Sequence, residues 1–387
     1  MKVLYVITNS FWYGDNRALY NLLPHLIKKG IEPFFLIPHN SEAYNRFSEI
    51  SNNIYTYSDS NIYYTQKTCS TGSKLRDFIR IVKFYLKLLK ADKTEYNEII
   101  KKIENEKIDL IHTNNSGCVL GYRISKKLSI PHIWHIREYG DKDANWMYLP
   151  SKKLIMNRMN SYNNNNITIT EDIRRHFFLS TTKARTIYDG PIQSNTYTTF
   201  SERKQYFLYV GRIFPKKGIE LLINAIYIIA QSYPDIIMKI AGDGDGVYVE
   251  YLKNKVVRLG IEGNIVFLGY RNDIAELMSC ARAVIIPSYF EAFGFITAEA
   301  MYNGAQVIGF NTAGTKEQMD NVEEHLKKKV CERFTNTSEL VTAIQNVIKA
   351  PLDAKTLVLV SQYVKCWYSD ITSASRVFNY YKEIISK

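Results

Sequence analysis

The chain holds few cysteines, and none stand where chemistry would use them. Its 5 cysteines, Cys69, Cys118, Cys280, Cys331 and Cys366, are dispersed and show no C-x-x-C spacing. An odd, scattered set argues against a disulfide framework or a zinc site and fits free thiols in a reducing cytosol. Long apolar runs are also missing: nothing approaches the roughly 20 residues that a membrane span needs. The opening run Val3–Leu4–Tyr5–Val6–Ile7 ends at polar Thr8–Asn9–Ser10, and no small-residue cleavage site follows. That is too short for the core of a secretion signal, so a cytoplasmic location is expected. No helix-turn-helix or zinc-finger signature is present, so nucleic acid is not an expected partner. No G-x-G-x-x-G follows the first strand-like run, which weighs against a dehydrogenase.

What is present describes an ordinary globular chain. Its 387 residues are 46% hydrophobic and 23% charged, enough apolar matter for about two domains. The net charge of +12 points to anionic partners; with no nucleic-acid signature, anionic lipid or a diphosphate ligand fits best. Strand-like runs (Lys2–Ile7, Pro33–Ile37, Ile108–His112, His132–Ile136, Ile167–Thr170) alternate with helix-like ones (Asn16–Lys29, Leu75–Lys90, Glu95–Lys107, Cys118–Leu128). The second half repeats the pattern. Its strands are Tyr206–Val210, Ile236–Ala241, Asn264–Leu268, Ala283–Ile286 and Gln306–Ile308. Its helices are Ile219–Tyr233, Val247–Leu259, Asp273–Cys280, Ile296–Tyr302 and Ser338–Lys349. Alternation of this kind predicts an α/β protein with two doubly wound parallel sheets, with ligand sites outside the carboxyl ends of the strands. The divide falls near Tyr188–Asp189–Gly190–Pro191. The run Asn163–Asn166 reads as a surface loop before a strand.

The richest segment is Ser288–Met301. A buried strand, Ala283–Ile286, runs into a turn with Glu291 and Gly294, then into a helix start carrying Glu299. A helix N-terminus offers unpaired N–H groups and partial positive charge, which suits a diphosphate. Carboxylates suit sugar and ribose hydroxyls. Upstream, Gly211–Arg212 leaves strand Tyr206–Val210, and Lys217–Gly218 opens an amphipathic helix. Arg212 and Lys217 can clamp phosphate oxygens, with Lys216 the rival of Lys217. The glycines Gly242, Gly244 and Gly246 read as a tight turn or as close backbone approach to a nucleotide. Between them, Asp243 and Asp245 have the spacing of a divalent-ion motif.

These pieces, Gly211–Gly218, Ala241–Gly246, Pro287–Ser288 with Glu291 and Glu299, and Gly314–Thr315–Lys316–Glu317, together resemble the retaining glycosyltransferases of family 4, which have the GT-B fold. The resemblance is strong over roughly 205–317. It implies two Rossmann-like domains facing across a cleft: an acceptor domain, 1–188, with a C-terminal helix 371–387 packing back on it, and a nucleotide-sugar domain, 189–370. It places Arg212 and Lys217 on the leaving diphosphate, Glu299 on the ribose, Glu291 on the sugar or in the catalytic environment, and the backbone of Phe293–Gly294–Phe295–Ile296 against the donor, together with Gly242 and Gly244. Ala292 and Ala313 stand where many relatives have Pro and Gly. No cofactor and no metal are implied; the donor is a nucleoside-diphosphate sugar, with a UDP-sugar favoured. After Glu317 the chain is highly charged, and 320–333 reads as a loop.

In the first half, the loop Thr8–Arg17 reaches the donor in the family, through Gly14 here. Asp15 is expected to cap the helix that starts there, and Phe11, Trp12 and Tyr13 either stack on a sugar or simply pack. His135, at the carboxyl end of its strand, faces the crevice and is placed by the resemblance beside the reacting sugar. His112 and His132 are weaker candidates. Arg137 and Glu138 either pair with each other or bind acceptor. The helix from Leu75 carries Leu75, Phe78, Ile79, Val82, Tyr85, Leu86 and Leu89 in one stripe and Arg76, Arg80, Lys83, Lys87 and Lys90 in another. The apolar stripe is expected on the sheet and the cations in water or on an anionic membrane, through 74–93.

The resulting expectation is a retaining, metal-independent hexosyl transferase (EC 2.4) acting on a saccharide or lipid-linked saccharide, peripheral at the inner face of the plasma membrane. Tyr- and Asn-rich usage points to an AT-rich, hence bacterial, coding sequence, and so to bacterial cell-surface polysaccharide, capsule or lipopolysaccharide synthesis. A nucleotide-sugar 2-epimerase of the same fold and a non-catalytic partner of a membrane polysaccharide complex remain open.

Overall fold

The computed structural model describes residues 1–39, 41–58, 64–66, 74–91, 93–143, 146–149, 151–161, 164–196 and 204–386. Cys69 and Asn163 lie outside them. The chain divides into two compact units: Met1–Gly190 with Asp370–Lys387, and Pro191–Ser369.

The first unit contains β1 (Lys2–Val6), β2 (Glu32–Pro38), β3 (Ile54–Tyr57), β4 (Tyr64–Gln66), β5 (Leu110–Thr113), β6 (His132–Ile136), β7 (Trp146–Tyr148), β8 (Asn164–Thr168) and β9 (Ala184–Thr186). A 7-stranded sheet has the order β3-β2-β1-β5-β6-β8-β9, and β4 pairs with β7 apart from it. Every pairing in the large sheet is parallel. Parallel strands are covered on both faces, which is why β1 and β2 are nearly continuous apolar runs. The helix Gly14–Lys28 packs on one face through Leu19, Leu22, Leu23 and Leu26, beside Val377, Tyr381 and Ile384 of the helix Asp370–Ile385. Ile99, Ile103 and Ile124 cover the other face. Strand order reverses between β1 and β5, so the loops leaving those strands diverge there.

The second unit contains β10 (Tyr206–Val210), β11 (Ile237–Ala241), β12 (Ile265–Gly269), β13 (Ala283–Ile286), β14 (Gln306–Phe310) and β15 (Cys331–Phe334). Their order is β12-β11-β10-β13-β14-β15, the 3-2-1-4-5-6 arrangement of nucleotide-binding sheets, with its reversal between β10 and β13. The helices Ile219–Ala230 and Thr337–Lys349 pack together over Phe207, Met238 and Ile308.

Three expectations are corrected. The Asn run, in its described part, is a strand rather than a surface loop. Asn164 and Asn166 are buried because their amides are satisfied inside. Asn164 Nδ2 donates to Met159 O at 2.9 Å, and Asn166 Nδ2 donates to Met159 O at 3.0 Å and Lys183 O at 2.9 Å. The segment 320–333 is not a loop: it ends the helix Ala313–Leu326 and forms β15. Its charges close on one another, with Arg333 bound to Asp320 and Glu323, and Glu323 Oε1 accepting the Val330 and Cys331 amides, each at 2.8 Å. Finally, in the helix Lys74–Ala91, Leu75, Phe78, Ile79, Val82 and Leu86 are exposed rather than laid on the sheet. The side chains of Tyr85, Lys87, Leu89 and Lys90 lie outside the described ones.

Candidate active site

In the second unit the site residues gather where strand order reverses. The loop after β10 ends in a short 3₁₀ turn, Pro215–Lys217, closed by Gly218 at φ 68°. A Cβ on Gly218 would stand 2.1 Å from Pro287 O, so only glycine lets the two loops meet this closely. The contact is sealed by Tyr289 N donating to Lys216 O at 3.2 Å and by Lys217 Nζ resting 2.5 Å from Glu291 Oε1. Lys217, not Lys216, therefore faces the acidic turn. Arg212 is exposed on the same loop, with its carbonyl accepting the Tyr209 hydroxyl at 2.8 Å.

Beyond Glu291 the turn reaches Gly294, whose φ of 87° starts the helix Phe295–Tyr302 with no side-chain cap. The amides of Phe295 and Ile296 consequently have no intrahelical acceptor and mark the positive end of the helix dipole. Glu299 is half-buried on this helix, one turn beyond Phe295 and on the same face. The ring of Phe293 is core, edge-on to Phe295 and Tyr368; its carbonyl belongs to the turn. Gly242 and Gly244 serve close backbone contact. Their added Cβ atoms would stand 1.9 Å from Gly211 O and 2.0 Å from Ile213 O, so the loops after β10 and β11 zip together. Asp243 Oδ1 accepts the Gly244 amide, and Asp245 Oδ1 caps the helix Gly246–Arg258 by accepting Val247 N and Tyr248 N. Both carboxylates thus satisfy local backbone. Among the described residues no group of three or more His, Cys, Asp or Glu could hold a metal ion.

The first unit gathers a separate polar cluster. His135 is 1% exposed; its Nδ1 lies 3.2 Å from both His112 Nε2 and Arg137 Nη2, while its Nε2 is buried with no hydrogen-bond partner. The ring is thus buried rather than open to a crevice. Burial first, then Arg137 and His112, hold its pKa well below the ordinary histidine value, so the ring is neutral at pH 7. His112 Nδ1 meets the Tyr381 hydroxyl at 2.5 Å. His132 donates to Asn164 Oδ1 and accepts from Thr113, and burial brings its pKa down to about 4. Arg137 and Glu138 do not pair with each other. Arg137 binds Asp189 and, at 2.9 Å, Asn114 Oδ1, whereas Glu138 accepts the Ser116 amide at 2.7 Å. Burial pushes Glu138 up to about 8.

Gly14 is the first residue of its helix, in open space, and the N-cap is Tyr13, so Asp15 sits inside the first turn instead of capping it. Trp12 packs against Tyr20 and Phe47, while Phe11 and Tyr13 are exposed with their rings 5.5 Å apart.

Comparison with known proteins places this geometry. Residues 196–362 match the model of the family described as glycosyl transferases group 1. Over those residues the chain is similar to that family. An uncharacterized glycosyltransferase of Methanocaldococcus jannaschii is 26% identical over 236 residues, covering 55% of this chain and 60% of that protein's length. The lipopolysaccharide glucosyltransferase WaaG of Escherichia coli is 32% identical over 108 residues, 28% of each chain. The crystal structure of HepE from Anabaena, in complex with UDP, superimposes with a TM-score of 0.73 at 18% identity, covering 99% of this chain and 100% of that one. The two Rossmann-like units are those of the GT-B fold.

Gln318, which no motif singled out, helps to hold the turn together with Gly314, Thr297 and Thr315. Gln318 is fully buried, and its Nε2 donates to Phe293 O at 2.5 Å and Gly294 O at 3.0 Å, pinning the turn that carries Glu291. Gly314 N donates to Glu291 O at 2.9 Å. Thr297 and Thr315 hydroxyls meet at 3.3 Å behind the turn. Only the position of Gln318, directly after Gly314–Thr315–Lys316–Glu317, hinted at its role.

Proposed function

We propose that the protein transfers a sugar from a nucleoside-diphosphate sugar to a saccharide or lipid-linked acceptor, with retention at the anomeric carbon. One observation carries this reading. The Lys217–Glu291 pair and the uncapped start of the helix Phe295–Tyr302 meet where strand order reverses in the group 1 domain. A cation and free amides at one point suit a diphosphate, and a neighbouring carboxylate suits sugar hydroxyls.

In this reading Lys217, Arg212 and the Phe295 and Ile296 amides stabilise charge as the bond from the anomeric carbon to the diphosphate oxygen breaks. Glu291 orients the sugar, and Glu299 binds the ribose. The acceptor hydroxyl forms the new bond to the same carbon and passes its proton to the departing phosphate oxygen. No dedicated base is then required. His135, held neutral and buried in the first unit, is not called on as an acid. The reading requires no metal, in keeping with the local use of Asp243 and Asp245. A UDP-sugar is the favoured donor, because HepE has been crystallised with UDP and with UDP-glucose. The proposed setting is bacterial cell-surface polysaccharide synthesis, at the cytoplasmic face of the membrane. Among the described residues no helix is long and apolar enough to cross one.

The test is Lys217→Ala. Removing a preorganised charge of this kind costs roughly a hundred- to a thousandfold in turnover, and UDP affinity measured by calorimetry should fall with it. Unchanged transfer by the variant would refute the assignment. Release of an epimerised sugar in the absence of acceptor would favour the epimerase reading instead.

A further inference from the structure

The helix Lys74–Ala91 presents apolar surface that the first unit leaves uncovered. Leu75 is 68% and Phe78 63% exposed, and Ile79, Val82 and Leu86 are exposed with them. At 100° per residue these five positions fall in one stripe about 100° wide. Arg76, Arg80 and Lys83, also exposed, fall together along one flank of that stripe. Asp77 is the helix's one acidic residue and lies 3.6 Å from Arg80. The neighbour against which this helix chiefly packs is the helix Lys93–Asn105. Exposed apolar side chains gathered in one stripe with a charged border mark an interaction site. Its basic border selects an anionic occupant with an apolar interior beneath its charge.

We propose that the helix Lys74–Ala91 lies in the plane of an anionic lipid surface, with Leu75, Phe78, Ile79, Val82 and Leu86 entering the acyl boundary and Arg76, Arg80 and Lys83 meeting the headgroups. At 1.5 Å per residue the helix offers about 27 Å of contact. Each cation near such a surface raises partitioning roughly fivefold, and the apolar stripe adds depth that charge alone does not give. This docking is independent of the sugar-transfer reading, since it is measured without turnover.

The test floats the full chain with vesicles of phosphatidylcholine alone and of phosphatidylcholine mixed with phosphatidylglycerol. The protein is expected to partition at least about tenfold more strongly into the mixed vesicles, with the difference shrinking as salt rises. Phe78→Ser with Leu86→Ser, and separately Arg76→Glu with Arg80→Glu, should each lower partitioning tenfold or more. Melting should stay unchanged, because all four side chains are exposed. No flotation of the wild type, or flotation equal on both vesicle types, overturns the proposal, and neither outcome depends on a variant folding. A dimer in lipid-free solution that Phe78→Ser dissociates would overturn it in favour of a second copy covering the stripe.

Discussion

Gly314→Ala would add one methyl group at the point where the helix Ala313–Leu326 presses on the acidic turn. The new Cβ would stand 2.3 Å from Phe293 O and 2.7 Å from Ala292 O. Both obstacles are backbone, so no side chain can rotate away. The turn must retreat by several tenths of an ångström, loosening the 2.9 Å bond from Gly314 N to Glu291 O and the Gln318 bonds beside it. Overpacking of this kind costs about 1–3 kcal/mol. At the middle of that range the melting temperature of a unit this size falls roughly 4–8 °C. Displacing Glu291 and the helix start by that distance should also weaken UDP binding about tenfold. The matched control is Gly246→Ala, where nothing lies within 4 Å of the added Cβ, and melting should hold or rise slightly. Differential scanning calorimetry and titration with UDP read the two effects separately. If Gly314→Ala melts with the wild type and binds UDP equally well, the steric reasoning is wrong. If the wild type itself binds no nucleotide, the donor reading fails while the melting comparison still stands.

Other outcomes follow from the first unit. Asn166→Asp keeps the shape of the side chain but sets a carboxylate against Met159 O and Lys183 O in place of a donor; urea denaturation should show a loss of about 3 kcal/mol or more. Glu138, raised to about 8 when folded, binds its proton more tightly in the native state than in the unfolded chain. Its contribution to stability is therefore complete below the usual carboxylate range and is lost as pH rises toward 8, at up to about 1.4 kcal/mol per pH unit. Glu138→Gln should flatten that slope between pH 6.5 and 8, as seen in pH-dependent denaturation. The buried neutral histidines act at the other end. With folded pKa values below the ordinary one, their stabilisation is present above about pH 6.5 and drains away on acidification toward pH 4. Stability that instead rose on acidification from about pH 6.5 to 4 would contradict their buried, neutral state.

The central strands were legible because both of their faces are covered, which writes an unbroken apolar run into β1, β10 and β13. The edge strands β3, β9 and β15 were not, since Ile54–Tyr57, Ala184–Thr186 and Cys331–Phe334 mix polar and apolar residues with incomplete burial. Only the first half of β8 hid, and for another reason: its asparagines look like loop residues until Met159 O and Lys183 O are brought to them. Gln318 carried no pattern, because its role is to hold two carbonyls that lie 24 and 25 residues upstream.

From its residues alone the chain settled two alternating α/β units, a glycine-marked turn after β13 and the acids and cations beside it, since local periodicity and turn chemistry act over a few neighbours. Only tertiary structure decided that Lys217 and not Lys216 meets Glu291, that Arg137 and Glu138 go to different partners, and that the stripe beginning at Leu75 stays uncovered. Each of these depends on which distant backbone arrives alongside, and long-range packing, unlike helical or strand period, leaves no mark in adjacent residues.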